Sequence, residues 1–272
     1  MFETPWIAAL AALFLWWFAT GILLWRVHAA DRSEDRDAHL WSVMLALPLL
    51  LGGAFGIRET LGDASPQGVF IAFLSALALW GWVELAFLSG VIAGPNTAPC
   101  PPGLAGARRF SQALGTILWH ELLLVGIFAA LVWGAATAPN PFGMWTWALL
   151  FGARISAKLN LFFGVPRINT DFLPRPLAHL AGYFCKGPIS AFFPFSVTLI
   201  SFTIGCFIER LWRADADPGA VIGWTLLTAL ASLALLEHWF MVWRVPDDKL
   251  WRWMIPAARS PKKSLQEDPN GL

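Results

Sequence analysis

Residues 153–173 read ARISAKLNLFFGVPRINTDFL. The run opens as the end of a hydrophobic helix and leaves it through Gly164 and Pro166. It carries Arg154, Lys158 and Asn160 where an ordinary membrane helix carries Leu or Val. Charges at such a depth are costly unless they are paired or wetted, so they mark a site by default.

The bulk composition supports a membrane setting. The chain has 272 residues, 57% hydrophobic and 14% charged. Seventeen Trp stand against one Tyr, Tyr183, and indole rings favour the headgroup boundary. These values describe a multi-spanning membrane protein. A net charge of +1 gives no electrostatic footprint for nucleic acid. Cys100, Cys185 and Cys206 form no CxxC pair and read as packing or incidental thiols. No basic region precedes the first apolar run, so it reads as a retained helix and not a removed signal.

A spanning helix needs roughly 20 apolar residues. Seven segments qualify: Pro5–Trp25, Trp41–Ile57, Gly68–Ile92, Gln112–Gly134, Phe142–Phe163, Ala191–Leu211 and Gly219–Arg244. Pro218 suits the first turn of the seventh, with Asp215 or Asp217 as its N-terminal cap. Pro194 falls in the first turn of the sixth, where its missing N–H does little harm. Residues 26–40 are densely charged and read as a solvated loop, which places His28 and His39 in water. Residues 93–111 are too rich in Pro and Gly for a helix. In the long loop 164–190, Pro176, Leu177, Leu180 and Phe184 suit one face of a short interfacial helix, and His179 stands where it could close over a site. The expected fold is all-α, a bundle of seven transmembrane helices over residues 1–250. Residues 251–272 form a polar, disordered cytoplasmic tail. With seven spans, fourteen Lys and Arg fall on one side and three (Arg58, Arg210, Arg213) on the other. That bias puts the N-terminus in the periplasm and the C-terminus in the cytoplasm.

On this topology the buried polar residues share a level. Glu84, His120, Glu121, Arg154, Lys158, Asn160, Glu237 and His238 all lie within about 14 Å of the cytoplasmic end, at about 1.5 Å per helical residue. Arg154 and Lys158, four apart, must share a helix face. In the neighbour pairs His120–Glu121 and Glu237–His238, one member can face a centre while the other faces an adjacent helix. Three readings compete. The first is a structural ion network. The second is a metal site for Fe or Zn built from His120, His238, Glu121 and Glu237. The third is a tetrapyrrole pocket with a His on the central metal and Arg154 or Lys158 on a carboxylate arm. Intramembrane carboxylates and His also suit a proton-coupled small-molecule carrier, although no inverted repeat is visible. Ser156 has no base evident in the sequence, and no phosphate-cradling Gly loop, HExxH or GxSxG is present.

Four stretches in order, PCPPGLAGARRF, ALGTILWHELLL, ISAKLNLFFGVP and DFLPRPLAHLAGYF, resemble the photosynthetic complex assembly protein 2 family, of the PuhE type. The resemblance runs through residues 5–245. It implies a multi-pass inner-membrane protein of an anoxygenic phototroph, encoded near the reaction-centre H-subunit gene. The implied role is in assembly of the photosynthetic complexes and control of bacteriochlorophyll supply. Implied partners are bacteriochlorophyll-biosynthesis or reaction-centre proteins, besides the lipid bilayer. No catalytic residues carry over. The polar layer and the resemblance together give the sharpest expectation: bacteriochlorophyll or a precursor as the bound group, with His120 or His238 on its Mg and Arg154 or Lys158 on its propionate. The competing class is a metal-dependent membrane oxidoreductase acting on a pigment intermediate.

Overall fold

The computed structural model describes residues 4–170, 173–214 and 217–243. The expected tail, the Asp215 cap and the end of the last span lie outside them. Among these residues eight α-helices follow in order: α1 (Pro5–Arg32), α2 (Ala38–Leu45), α3 (Leu47–Thr60), α4 (Pro66–Leu88), α5 (Gly106–Ala135), α6 (Phe142–Phe163), α7 (Phe192–Arg213) and α8 (Pro218–Phe240). A 3-10 helix, Arg175–Tyr183, lies between α6 and α7. No β-strand occurs among the described residues, only a single parallel bridge between Val165 and Lys186.

Among the described residues, six helical segments are long and apolar enough to cross a membrane: α1, the joined pair Ala38–Thr60, α4, α5, α7 and α8. The sequence expectation of seven is met only in part. At 22 residues α6 is as long as α7. Arg154, Lys158 and Asn160 lower its hydropathy, and it is not among the six. The second expected span is two helices, parted at Ala46. Pro48 is the cause, because it lacks the N–H that would continue the ladder. The indole N–H of Trp82 donates to the Val43 carbonyl at 3.1 Å, beside the break.

Two expected loops are shorter than their composition suggested. Helix α1 continues to Arg32 and α2 begins at Ala38, so residues 33–37 alone connect them. Helix α5 begins at Gly106, so RRF is helical despite the Pro and Gly before it. His28 and His39 are not in open water. Both contact the Asp31 carboxylate, with side chains 14% and 18% exposed. The expected short helix is present in 3-10 form, burying Leu177, Leu180 and Tyr183. Asp217 caps α8, accepting from the Gly219 and Ala220 amides. Ser65 caps α4 in the same way through Gly68.

Helices α4 and α8 form the centre. Half of each apolar window is buried, against 17–22% for α1, Ala38–Thr60, α5 and α7. A helix apolar all round needs such a position. The tightest seam is between α3 and α4. A Cβ on Gly53 would lie 2.7 Å from the Ser75 carbonyl oxygen, and one on Gly56 would lie 2.2 Å from the Ser75 hydroxyl. Small residues let two backbones approach this closely in apolar surroundings.

Asn140 locks the opposite connections. Its side-chain N–H groups donate to the Thr60 and Asp63 carbonyls at 3.0 and 2.9 Å, and its Oδ1 accepts from the Phe142 amide. Asn140 thereby satisfies a terminal carbonyl of α3 and starts α6. Asn140→Ala is expected to cost about 1–3 kcal/mol, because buried carbonyls lose their donor. Denaturant unfolding in detergent checks this, and wild-type stability in the variant would refute it.

Candidate functional site

The polar residues of the opening stretch occupy two opposite sides of α6. Positions 154 and 158 lie one turn apart, and positions 156 and 160 lie one turn apart about half a revolution away. The expected single layer is therefore divided by this helix.

On the first side, Arg154 donates to Glu84 Oε2 on α4 at 2.7 Å. Lys158 donates to Glu121 Oε1 on α5 at 2.5 Å. His120 is fully enclosed, with its Nε2 3.8 Å from Glu84 Oε1. Its ring packs against Phe87 at a 30° tilt with centroids 4.2 Å apart. The Lys158 ammonium lies 5.2 Å and the Arg154 guanidinium carbon 6.0 Å from the centroid of that same Phe87 ring. Phe87 is thus a shared platform for two cations and one imidazole. The sequence reading missed it, although its spacing of three from Glu84 on one helix was the available signal. Both ring nitrogens of His120, Glu84 Oε1 and Arg154 Nε are buried without a hydrogen-bond partner among the described residues.

On the second side, Ser156 Oγ and His238 Nε2 are 2.8 Å apart. His238 Nδ1 lies 2.7 Å from the Ala234 carbonyl oxygen, to which it must donate. That bond leaves Nε2 as the acceptor for the Ser156 hydroxyl. Asn160 donates to the Ser156 carbonyl and to the Ser196 hydroxyl of α7. The base that the sequence did not show for Ser156 comes from α8, eighty-two residues away.

A cavity of about 1210 Å³ opens beside the first side of α6. Its walls come from α1, α4, α5, α6 and α8, and residues 166–170 and 173 lie along it. Glu84, Glu121, Arg154, Lys158 and Glu237 line it; His120, Asn160 and His238 do not. Most of the remaining lining is apolar or aromatic, including Trp16, Trp80 and Phe87. Arg154 keeps 35% of its side chain exposed there. The pairing rule for Glu237 and His238 holds, since one faces the cavity and the other faces Ser156.

His120, His238, Glu121 and Glu237 are not gathered as a metal set. Glu121 is committed to Lys158, and His238 uses both ring nitrogens. Among the described residues, no group of three or more His, Cys, Asp and Glu side chains is placed to hold a metal ion.

Two further residues secure the part of the site outside the helices, and composition did not reveal either. Arg109 donates to the Phe162 and Tyr183 carbonyls at 3.2 and 2.6 Å, with its guanidinium 4.2 Å from the Phe162 ring centroid. A cation at the last carbonyls of a helix is favourable electrostatically as well. Asp31 accepts from the Arg175 amide and contacts His39, tying the start of the 3-10 helix to α1 and α2. His179 in the 3-10 helix is held below its ordinary imidazole value by burial. Leu180 and Tyr183 of the same turn reach the cavity wall; His179 does not line it.

The family model described as "Protein of unknown function (DUF3623)" matches residues 2–262. The chain is 52% identical over 272 residues to a protein of Rhodobacter capsulatus described as "Uncharacterized 30.4 kDa protein in puhA 5'region". That match covers 99% of this chain and 97% of the relative. No solved structure matches.

Proposed function

The chain belongs to the DUF3623 family, and on that premise we propose that it is a polytopic protein of the bacterial photosynthetic inner membrane that holds an amphipathic tetrapyrrole acid for pigment supply and complex assembly. The position of the Rhodobacter capsulatus relative in the puhA 5' region supports a photosynthetic setting. The four motifs that resemble the PuhE type support the same setting. Bacteriochlorophyll-biosynthesis or reaction-centre proteins are the proposed partners.

In this reading α6 is the seventh span. Its cations are tolerated because Glu84 and Glu121 pair with them inside the bundle. The N-terminus is then periplasmic and the C-terminus cytoplasmic. Trp6, Trp133 and Trp212 support this arrangement. They are 80%, 85% and 81% exposed, and in a seven-span path all three stand at the periplasmic ends of their helices.

The cavity carries the functional reading. It is larger than the roughly 300–1,000 Å³ of drug-sized sites, and its lining is mainly apolar with a few convergent polar groups. Arg154 is the residue that fits a carboxylate arm. Glu84 engages one terminal nitrogen of its planar fork, and the side chain, 35% exposed, lines the cavity. Lys158 fits less well, because Glu121 holds its ammonium. Neither expected His fits the central metal. His238 has no free lone pair, and His120 is enclosed away from the cavity.

Protein purified in mild detergent from a pigment-producing host is expected to carry a chlorin absorption band. Arg154→Ala should weaken rebinding of the free acid roughly ten- to a hundredfold, the worth of a charge-assisted hydrogen bond. Absence of any chlorin, or a band indifferent to Arg154→Ala, would reject this function for the cavity.

A further inference from the structure

Glu237 lines the cavity from α8 and has no ion pair or hydrogen bond among the described residues. The other two cavity carboxylates, Glu84 and Glu121, each hold a cation. A ligand that brings only a carboxylate satisfies Arg154 and leaves Glu237 facing an apolar body, which is unfavourable for a carboxyl group without a partner. The site is therefore two-sided in chemistry, with a guanidinium for an anion and a carboxyl for something that seeks oxygen.

Resting on the tetrapyrrole reading above, we infer that Glu237 is the protein's ligand to the metal of the bound macrocycle, and that the site selects metal-bearing chlorin acids over metal-free ones. The inner N–H groups of a metal-free macrocycle point into its own ring and cannot donate to a side chain on the wall. A central metal would accept an oxygen donor from the cavity wall. Mg²⁺ prefers oxygen donors and is bound by carboxylates. His238 has both ring nitrogens committed and His120 does not line the cavity, whereas Glu237 is the cavity carboxyl without an ion pair among the described residues. Arg154 then binds the propionate and Glu237 the metal, which fixes two points of a flat ligand and sets its orientation.

The test is a titration of the full-length protein in detergent with a zinc chlorin bearing one free propionate, and with the same chlorin without metal. Absorption and fluorescence report binding without any activity. Wild type is expected to bind the zinc form at least about tenfold more tightly, a difference of about 1.4 kcal/mol. Glu237→Gln, which keeps shape and volume, should abolish the preference, so that the two forms bind alike. Arg154→Gln should weaken both forms equally and keep the preference. Equal affinity of wild type for the two forms, with Arg154 still required, overturns the role of Glu237 and leaves the tetrapyrrole reading standing. A preference retained in Glu237→Gln overturns it also. Saturable binding of neither form overturns both.

Discussion

Lys158→Ala is expected to cost about 3–5 kcal/mol of stability in detergent, the usual penalty for removing one partner of a buried ion pair. Lys158 and Glu121 are only 19% and 16% exposed, and their nitrogen and oxygen lie 2.5 Å apart. Without the ammonium, Glu121 becomes an uncompensated carboxylate in a cavity that also contains Glu84 and Glu237. The pair itself contributes far less than that penalty, because desolvating both ions offsets most of their attraction. Lys158→Met combined with Glu121→Leu should therefore recover most of the loss, giving a large coupling energy in the double-mutant cycle. Arg213 and Glu209 supply the contrast. They also form a pair, four residues apart on α7, but are 78% and 47% exposed. Arg213→Ala should cost well under about 1 kcal/mol. Unfolding by SDS titration in mixed micelles ranks the variants. Equal losses for Lys158→Ala and Arg213→Ala would mean that the α5–α6 pair is solvated and not part of a buried network.

The helical architecture was legible because long apolar segments have few alternatives in a bilayer. Pro, Gly and charge patterns located most helix ends. They failed at Gly106 and Arg32, where tertiary bonds overrode composition. Arg109 continues α5 into a Gly-rich loop because its guanidinium has two carbonyls to meet, on residues fifty-three and seventy-four positions away. Asp31 and His39, the start of the next helix, similarly fold a charged segment against the bundle. The site was legible in its membership and not in its partition. Intramembrane charge identified Arg154, Lys158, Glu84, Glu121 and Glu237, which do share one cavity. Depth along a helix is readable from residue number, but rotation about neighbouring helices is not. Hence Asn160 and His238, at a similar level, belong to the other side of α6, and His120 is concealed behind Phe87. The Ser156–His238 pair could not be found by spacing at all, since only the packing of α6 on α8 creates it.

Gly94→Ala is expected to disturb the site more than its chemistry suggests, because the segment after α4 lies directly on the backbone of α5. Gly90, at φ 72°, ends α4 in the left-handed conformation that glycine adopts without strain and turns the chain toward α5. Four residues on, a Cβ at Gly94 would stand 2.1 Å from the Gly115 carbonyl oxygen, 2.5 Å from the Thr116 carbonyl carbon and 2.7 Å from the Ile117 nitrogen. All three are backbone atoms of one helix, so no rotamer change relieves the contact. The segment must lift away instead. Two hydrogen bonds straddle that contact, Asn96 N–H to the Gly115 carbonyl and His120 N–H to the Ala93 carbonyl, each 3.1 Å long. Lifting stretches both and releases the α5 turn that carries His120 and, next to it, Glu121. The expected cost is about 1–3 kcal/mol or somewhat more, typical of overpacking where the neighbours are rigid. Gly126→Ala on the same helix meets nothing within 4 Å and should fall within about 0.5 kcal/mol of wild type. Amide exchange separates displacement from general loosening. In Gly94→Ala the Asn96 amide should exchange much faster while the amides of α8 stay protected. Unchanged protection at Asn96 would show that the loop accommodates a methyl group and that the placement of His120 and Glu121 does not depend on the missing Cβ.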